Sequence, residues 1–282
     1  MTGLSAALGD SDAFDRLVVV SVDRIANTAR RVHGVLTRLE QGGRGLVSLE
    51  EEFDTGEGSG AAVPAIFAAL SPTRSEPAVP GDGWSAEPLR RHGYAPATVI
   101  DVGVAAGTPA LYEAFPDAYH VLVEPLAEFE PALQALVARN GGEYVLAAAG
   151  AERGTLTLNL PPHHYMASTL DAVQPLPGTT QREVPVVTLD ELFEERGWLT
   201  PIGLKIDVEG AELAVIEGAE RLLEHAEFVI AELSVAERFV GERPSSDFIA
   251  ALRSHGLCAS EIVDSTIWAL GSYVDLLFDR RA

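Results

Sequence analysis

Two short runs hold the residues best suited to chemistry. In Val99-Ile100-Asp101-Val102-Gly103-Val104-Ala105-Ala106-Gly107-Thr108 an apolar stretch ends in a carboxylate and a turn of small residues. Such a turn lets backbone approach a ligand at the carboxyl edge of a sheet. The dinucleotide fingerprint G-x-G-x-x-G is missing, because Val-Ala-Ala separates Gly103 from Gly107. Asp101 also puts negative charge where a pyrophosphate would lie, so a ligand with a cationic amino group and no phosphate suits the turn better. The second run is Leu204-Lys205-Ile206-Asp207-Val208-Glu209-Gly210-Ala211-Glu212. In an extended chain Lys205 and Asp207 point one way, Leu204 and Ile206 the other. The pair is either a structural ion pair or part of a site. Burying it without further partners is costly, which favours a site.

Glu124 closes the run Val121-Leu122-Val123-Glu124-Pro125. A carboxylate at that point can accept hydrogen bonds from both hydroxyls of a ribose, as in dinucleotide and S-adenosylmethionine sites alike. The plainer alternative is a solvated acid at a strand end. Lys205 stands out for another reason: it is the only lysine, so 19 of the 20 basic residues are arginine. Composition bias toward Ala, Gly and Arg accounts for that by chance, or the position needs a compact ammonium.

These residues need strands and helices to place them. Thr98–Val102, Tyr119–Val123, Glu143–Ala148, Val184–Val187, Ile202–Ile206 and Phe228–Glu232 read as strands. Between them, Thr108-Pro109 opens one helix, Leu126 to Arg139 forms another, Thr188-Leu189-Asp190-Glu191 is a capping box, and Ala211 to His225 is a fourth helix. Strands separated by helices imply a parallel sheet. Cys258–Val263 and Tyr273–Phe278 have no helix between them and read as an antiparallel pair. Pro161 to Gln181 is a long patternless loop, of a kind usually functional.

The first part of the chain differs. Apolar residues from Phe14 to Leu39 recur at helical spacing, which predicts one amphipathic helix over residues 11 to 41, stopped by Gly42-Gly43. A short apolar segment spans Val63 to Leu70, and Ser71 to Gly83 reads as a linker. This gives an N-terminal helical extension and linker over residues 1–83 and an α/β domain over 84–282. An apolar helix stripe beyond a linker predicts a homo-oligomer.

Composition narrows the partners. With 42 acidic and 20 basic residues the formal charge is −22, which repels nucleic acid and anionic membranes. No apolar run is long enough to span a bilayer, no signal peptide is visible, and Cys258 is the only cysteine. The expectation is a cytoplasmic protein acting on a small molecule.

The segments Pro96–Gly103, Val123-Glu124-Pro125, Val186–Asp190 and Leu204–Glu212 together resemble the FkbM-type methyltransferases, from about residue 88 to the C-terminus. The block Lys-Ile-Asp-Val-Glu-Gly-Ala-Glu is the most specific part. The resemblance implies a class I methyltransferase fold: a Rossmann-like, mostly parallel sheet with helices on both faces and a C-terminal antiparallel pair. It implies O-methylation of sugars, polyketides or other natural products. It also implies that Asp101, Val102, Gly103, Gly107, Glu124 and Pro125 hold S-adenosylmethionine, with Ser168 in the loop beside them and Asp207 at the reaction edge. Ala105 departs from the pattern, where the family usually has Asn.

Methyl transfer to oxygen needs in-line geometry and help in removing the hydroxyl proton. His163 and His164, in the long loop, are candidate bases, alongside Asp207 with Lys205. Asp207, Glu209 and Glu232 form the alternative, an oxygen set that suits Mg²⁺, although spacing alone does not establish it. Two rival functions share parts of the pattern. An NAD-type oxidoreductase would share the turn and Glu124, and a non-catalytic partner protein would explain Ala105.

Overall fold

The computed structural model describes residues 16–19, 45–48, 53–54, 85–162, 164, 166–173, 177–234, 238–266 and 273–280. The chain divides into two compact units, residues 1–80 with 244–246, and residues 81–243 with 247–282. In the first, β1 (Arg16–Val19) pairs in parallel with β2 (Gly45–Ser48), which pairs antiparallel with β3 (Phe53–Asp54). The helix expected over residues 11–41 is therefore wrong at Arg16–Val19. Two β-branched valines follow Leu17 there, and such side chains favour a pleated strand over a helix. The rest of that span, the segment at Val63–Leu70 and the linker at Ser71–Gly83 lie outside the described residues.

The second unit is built on a seven-stranded sheet in the order β12-β13-β11-β10-β4-β5-β6. Its strands are β4 (Thr98–Val102), β5 (Tyr119–Val123), β6 (Glu143–Val145), β10 (Ile202–Ile206), β11 (Ala226–Ser234), β12 (Cys258–Thr266) and β13 (Tyr273–Asp279). From β11 to β6 every pairing is parallel, and β13 runs antiparallel to both β11 and β12. That is the class I methyltransferase sheet. The central strands β4 and β10 are buried along their whole length, which is why they read as apolar runs.

The helices are α1 (Glu87–His92), α2 (Pro109–Ala114), α3 (Glu130–Asn140), α4 (Leu189–Arg196), α5 (Glu212–Glu217), α6 (Glu220–Leu223) and α7 (Ser245–Ser254). Thr188 caps α4 as its box predicts, its hydroxyl accepting from Glu191 N at 3.1 Å. The helix expected over Ala211–His225 is two helices, parted where Gly218 (φ −92°, ψ 12°) and Ala219 (φ −131°, ψ 18°) leave the helical angles. Gly218 packs on Gly150, and a Cβ there would come within 2.0 Å of the Gly150 carbonyl oxygen. No helix among the described residues is long and apolar enough to cross a membrane.

The third expected strand is also divided. Glu143–Val145 stays in the main sheet, while β7 (Ala148–Ala149) joins β9 (Thr180–Val187) and β8 (Gly154–Leu160) in a small second sheet. That sheet has a core of its own, including Leu126, Leu158, Leu160, Val184 and Val186. It stands beside the carboxyl ends of β4 and β5, where it can wall a ligand.

Candidate functional site

A cavity of about 280 Å³ opens at the carboxyl ends of β4, β5 and β10. Open parallel sheets bind ligands at this edge because the strand–helix turns leave backbone and strand-end side chains facing a crevice. One wall is apolar, from Leu126, Phe129, Leu156 and Leu158; the other carries Lys205, Asp207 and Glu209. Between them runs the turn from Gly103 to Gly107.

Glycine is required at Gly103. Its φ is +77°, and a Cβ would stand 1.7 Å from the carbonyl oxygen of Asp207. The turn after β4 thus lies directly against the chain leaving β10. Ala105 also adopts a left-handed conformation, at φ 45°, which an Asn tolerates better than an Ala. What holds it is Glu124. The Glu124 carboxylate accepts from Ala105 N through Oε2 and from Leu126 N through Oε1, both at 2.9 Å. Burial raises its pKa, and those two N–H groups oppose the rise.

Asp101 does not line the cavity. Its Oδ2 accepts from the Tyr112 hydroxyl at 2.5 Å and its Oδ1 lies 3.5 Å from Lys205 Nζ, with no exposure to solvent. Lys205 then donates to Asp207 Oδ2 at 3.0 Å. Burial alone would lower the Lys205 pKa; Asp207 and Asp101 more than reverse this and raise it. A buried series, Tyr112–Asp101–Lys205–Asp207, therefore runs from the helix behind the sheet to the cavity wall.

Asp207 is the most open of the wall carboxylates, its side chain 29% exposed against 13% for Glu209. Glu209 has φ 54°, its carbonyl accepts from Ser168 Oγ at 2.6 Å, and its carboxylate pairs with Arg238. Burial pushes the Glu209 carboxyl up to about 8 against the pull of Arg238. Burial, then Asp207 and Glu209, drive Glu232 well above its ordinary value, and Arg238 donates to its Oε1 at 2.6 Å. Asp275, on β13 opposite Glu232, is pushed up to about 8 by burial, with Asp207 adding and Lys205 opposing.

The structure brings Val102, Gly103, Gly107, Glu124, Pro125, Lys205 and Asp207 together around one cavity. His164 lines it too, with Nδ1 3.8 Å from Glu128 Oε1 in the short 3₁₀ turn at Ala127–Phe129. His163 lies outside the described residues. Ser168 is buried and bonded to Glu209 and Leu170, while its neighbours Ala167 and Thr169 face the cavity. Asp207, Glu209 and Glu232 each bring a carboxylate oxygen within 4.8 Å of the others.

Sequence reasoning missed three residues. Arg238 is one of 19 arginines and has no motif around it. Tyr112 carries no local signal either. Asp275 does: a charge within Tyr273-Val274-Asp275-Leu276-Leu277-Phe278 is out of place in a buried strand.

The methyltransferase FkbM domain matches residues 101–256, more than half of the chain. The chain belongs to the FkbM methyltransferase family. Its cofactor is S-adenosylmethionine, and the residues present fit it. Glu124 offers a buried carboxylate beside an apolar wall that suits an adenosine, and the small residues from Gly103 to Gly107 line the cavity between the two walls. Family membership removes the NAD-type oxidoreductase alternative.

No curated protein matches by sequence. Among 92 matching chains of solved structures is magnesium protoporphyrin IX methyltransferase from Synechocystis PCC 6803 with bound SAM. It is 13% identical over 69% of this chain and 75% of that one, with a TM-score of 0.40. Fibrillarin from Aeropyrum pernix is 14% identical over 64% and 66%, at a TM-score of 0.38. The 1,6-didemethyltoxoflavin-N1-methyltransferase from Burkholderia thailandensis is 12% identical over 69% and 75%, at a TM-score of 0.36. At these values none bears on the acceptor.

Proposed function

We propose that the chain transfers a methyl group to a hydroxyl of an uncharged small molecule, a sugar or a sugar-bearing or polyketide natural product. One observation carries this reading. Asp207 presents a carboxylate on the cavity wall, held in place from behind by Lys205.

When bound, S-adenosylmethionine supplies an electrophilic methyl group. The chain's own residues do the rest. Glu124 would accept from the ribose hydroxyls, and the turn at Gly103 would hold the cofactor beside it. Lys205 occupies Asp207 Oδ2, which leaves Oδ1 to accept the acceptor's hydroxyl proton. A positioned base of this kind contributes ~10²–10⁴-fold to rate. Asp207 is preferred to His164 as the base because Lys205 holds the Asp207 carboxylate in place, whereas His164 Nδ1 stands 3.8 Å from Glu128 Oε1.

The site disfavours an anionic acceptor, since Asp207 and Glu209 face the cavity while Lys205 and Arg238 are already paired with carboxylates. The overall charge of −22 likewise disfavours nucleic acid.

The test is incubation with methyl-labelled S-adenosylmethionine and a panel of neutral sugars, aminosugars, polyketide alcohols and amines, with the product's methyl position assigned by NMR. Transfer to nitrogen or carbon alone would overturn the hydroxyl assignment. Cofactor binding without turnover on any acceptor would favour the non-catalytic partner instead.

A further inference from the structure

Four contacts converge on the left-handed turn of Glu209 and Gly210, with φ 54° and 96°. Ser168 Oγ donates to the Glu209 carbonyl at 2.6 Å. Leu170 and Phe239 crowd Gly210, so that a Cβ would come within 3.4 Å of Leu170 Cδ1 and 2.9 Å of Phe239 Cδ2. Arg238 pairs with the Glu209 carboxylate. The two segments that supply these contacts are joined to each other. Val173 N donates to Arg238 O at 2.9 Å, and Val240 N to Asp171 O at 2.7 Å. The long loop and the segment after β11 thus form a clasp over the end of the β10 turn, and the clasp delivers Arg238.

The place to which Arg238 is delivered is unusual. Oxygens of Asp207, Glu209 and Glu232 lie within 4.8 Å of one another, a spacing one divalent ion could bridge. Carboxylates this close repel unless a cation or a proton sits among them. The Arg238 guanidinium, its side chain 9% exposed, bonds to Glu209 and Glu232 at once. It also lies 5.4 Å from the ring centroids of both Phe239 and Tyr273. A planar fork with five donors can hold two carboxylates in fixed orientation, which a lysine's point charge does less well.

We propose that Arg238 is the resident cation of this carboxylate group. It is a positioning residue that holds Glu209, which lines the cavity, together with Glu232 behind it, in the place a divalent metal would take. The proposal rests on the methyl-transfer reading only for what those carboxylates do during the reaction; the replacement of a metal by Arg238 is tested without turnover.

The experiment titrates Mn²⁺ and Mg²⁺ by calorimetry into the full chain, as wild type, Arg238→Gln and Arg238→Lys. S-adenosylhomocysteine binding is measured on the same samples to report the cofactor site separately. Wild type and Arg238→Lys are expected to show no saturable metal binding. Arg238→Gln is expected to bind Mn²⁺ at least tenfold more tightly than wild type. If Arg238→Gln folds poorly, Mn²⁺ at about 100-fold its dissociation constant should raise its melting temperature by several degrees. Merely structural loss of an arginine would produce no such gain of metal affinity. Saturable Mn²⁺ binding by the wild type that Glu209→Gln abolishes would overturn the proposal. So would an Arg238→Gln protein that Mn²⁺ neither binds nor stabilises.

Discussion

Lys205 and Asp101 stand opposite each other on adjacent strands, and the ammonium that lies 3.5 Å from Asp101 also donates to Asp207. One buried cation thereby ties the end of the strand that leads into the cofactor turn to the carboxylate assigned to the acceptor. This gives the lone lysine a physical reason. A strand-end site that is 4% exposed has room for a compact ammonium but not for a planar guanidinium and its wider donor fork.

Lys205→Arg is therefore expected to lower the melting temperature rather than pass as a mild change. Asp207→Asn is expected to fold and to lose roughly 10²-fold or more in turnover, while cofactor affinity falls less. Steady-state kinetics with calorimetry separates the two effects. A folded Asp207→Asn protein with near-normal turnover would place the chemistry elsewhere.

Glu124→Ala should weaken cofactor binding by about 1.5–3 kcal/mol, the scale of a hydrogen bond to a charged group. The sequence alone suggests that stability would be nearly unchanged. The structure predicts a loss as well, because Glu124 satisfies the N–H groups of Ala105 and Leu126. Glu124→Gln, which keeps one acceptor oxygen, should lose less of both. Calorimetry and thermal melts on the two variants give the comparison; a tight-binding Glu124→Ala removes the residue from the site.

Tyr112→Phe leaves Asp101 without its hydroxyl donor in a position with no solvent access. Orphaning a buried polar group costs about 1–3 kcal/mol, so the variant should melt several degrees lower. If the series through Lys205 transmits position to Asp207, the fraction that remains folded should also turn over more slowly. Unchanged turnover per folded molecule would confine Tyr112 to stability.

Asp275 supplies a pH signature. Its folded pKa of about 8 exceeds the ordinary carboxyl value of 3.8. A group whose folded pKa is raised stabilises most below its unfolded pKa, and that contribution disappears as pH rises through the folded value. Melting temperature should therefore fall between about pH 4 and pH 8, with burial and the Asp207 charge as the causes. Asp275→Asn should flatten that fall. A slope unaffected by the substitution would assign it to other carboxylates.

The central sheet was legible because fully buried parallel strands read as mainly apolar runs, broken in Val99–Val102 and Ile202–Ile206 only by Asp101, Gly203 and Lys205, and because Thr188 carries its own capping signal. β8 was overlooked although Thr155 to Leu160 alternate polar and apolar residues, as a strand with one covered face should. The N-terminal helix failed where apolar spacing was weighed without the β-branching of Val18 and Val19. At the site, Glu124 and Asp207 announce themselves by following the ends of apolar strands, and Lys205 by lying inside one. Arg238 and Tyr112 do not, since what makes them matter is a partner brought near only by folding: Glu209 and Glu232 for one, Asp101 for the other.

Gly103 meeting the backbone of Asp207 has a consequence for changing what the protein acts on. The donor side and the floor of the acceptor side are one rigid block, because any side chain at 103 or any shift at 207 would force the other to move. The clasp segments 168–173 and 238–240 meet that block through side chains, by the Ser168 hydrogen bond, the Arg238 ion pairs and the packing of Leu170 and Phe239 on Gly210, and are not strands of the main sheet. Acceptor preference should therefore be exchangeable as a cassette, by grafting those two segments together from a relative, while the strand ends at 101–107 and 205–207 are left untouched.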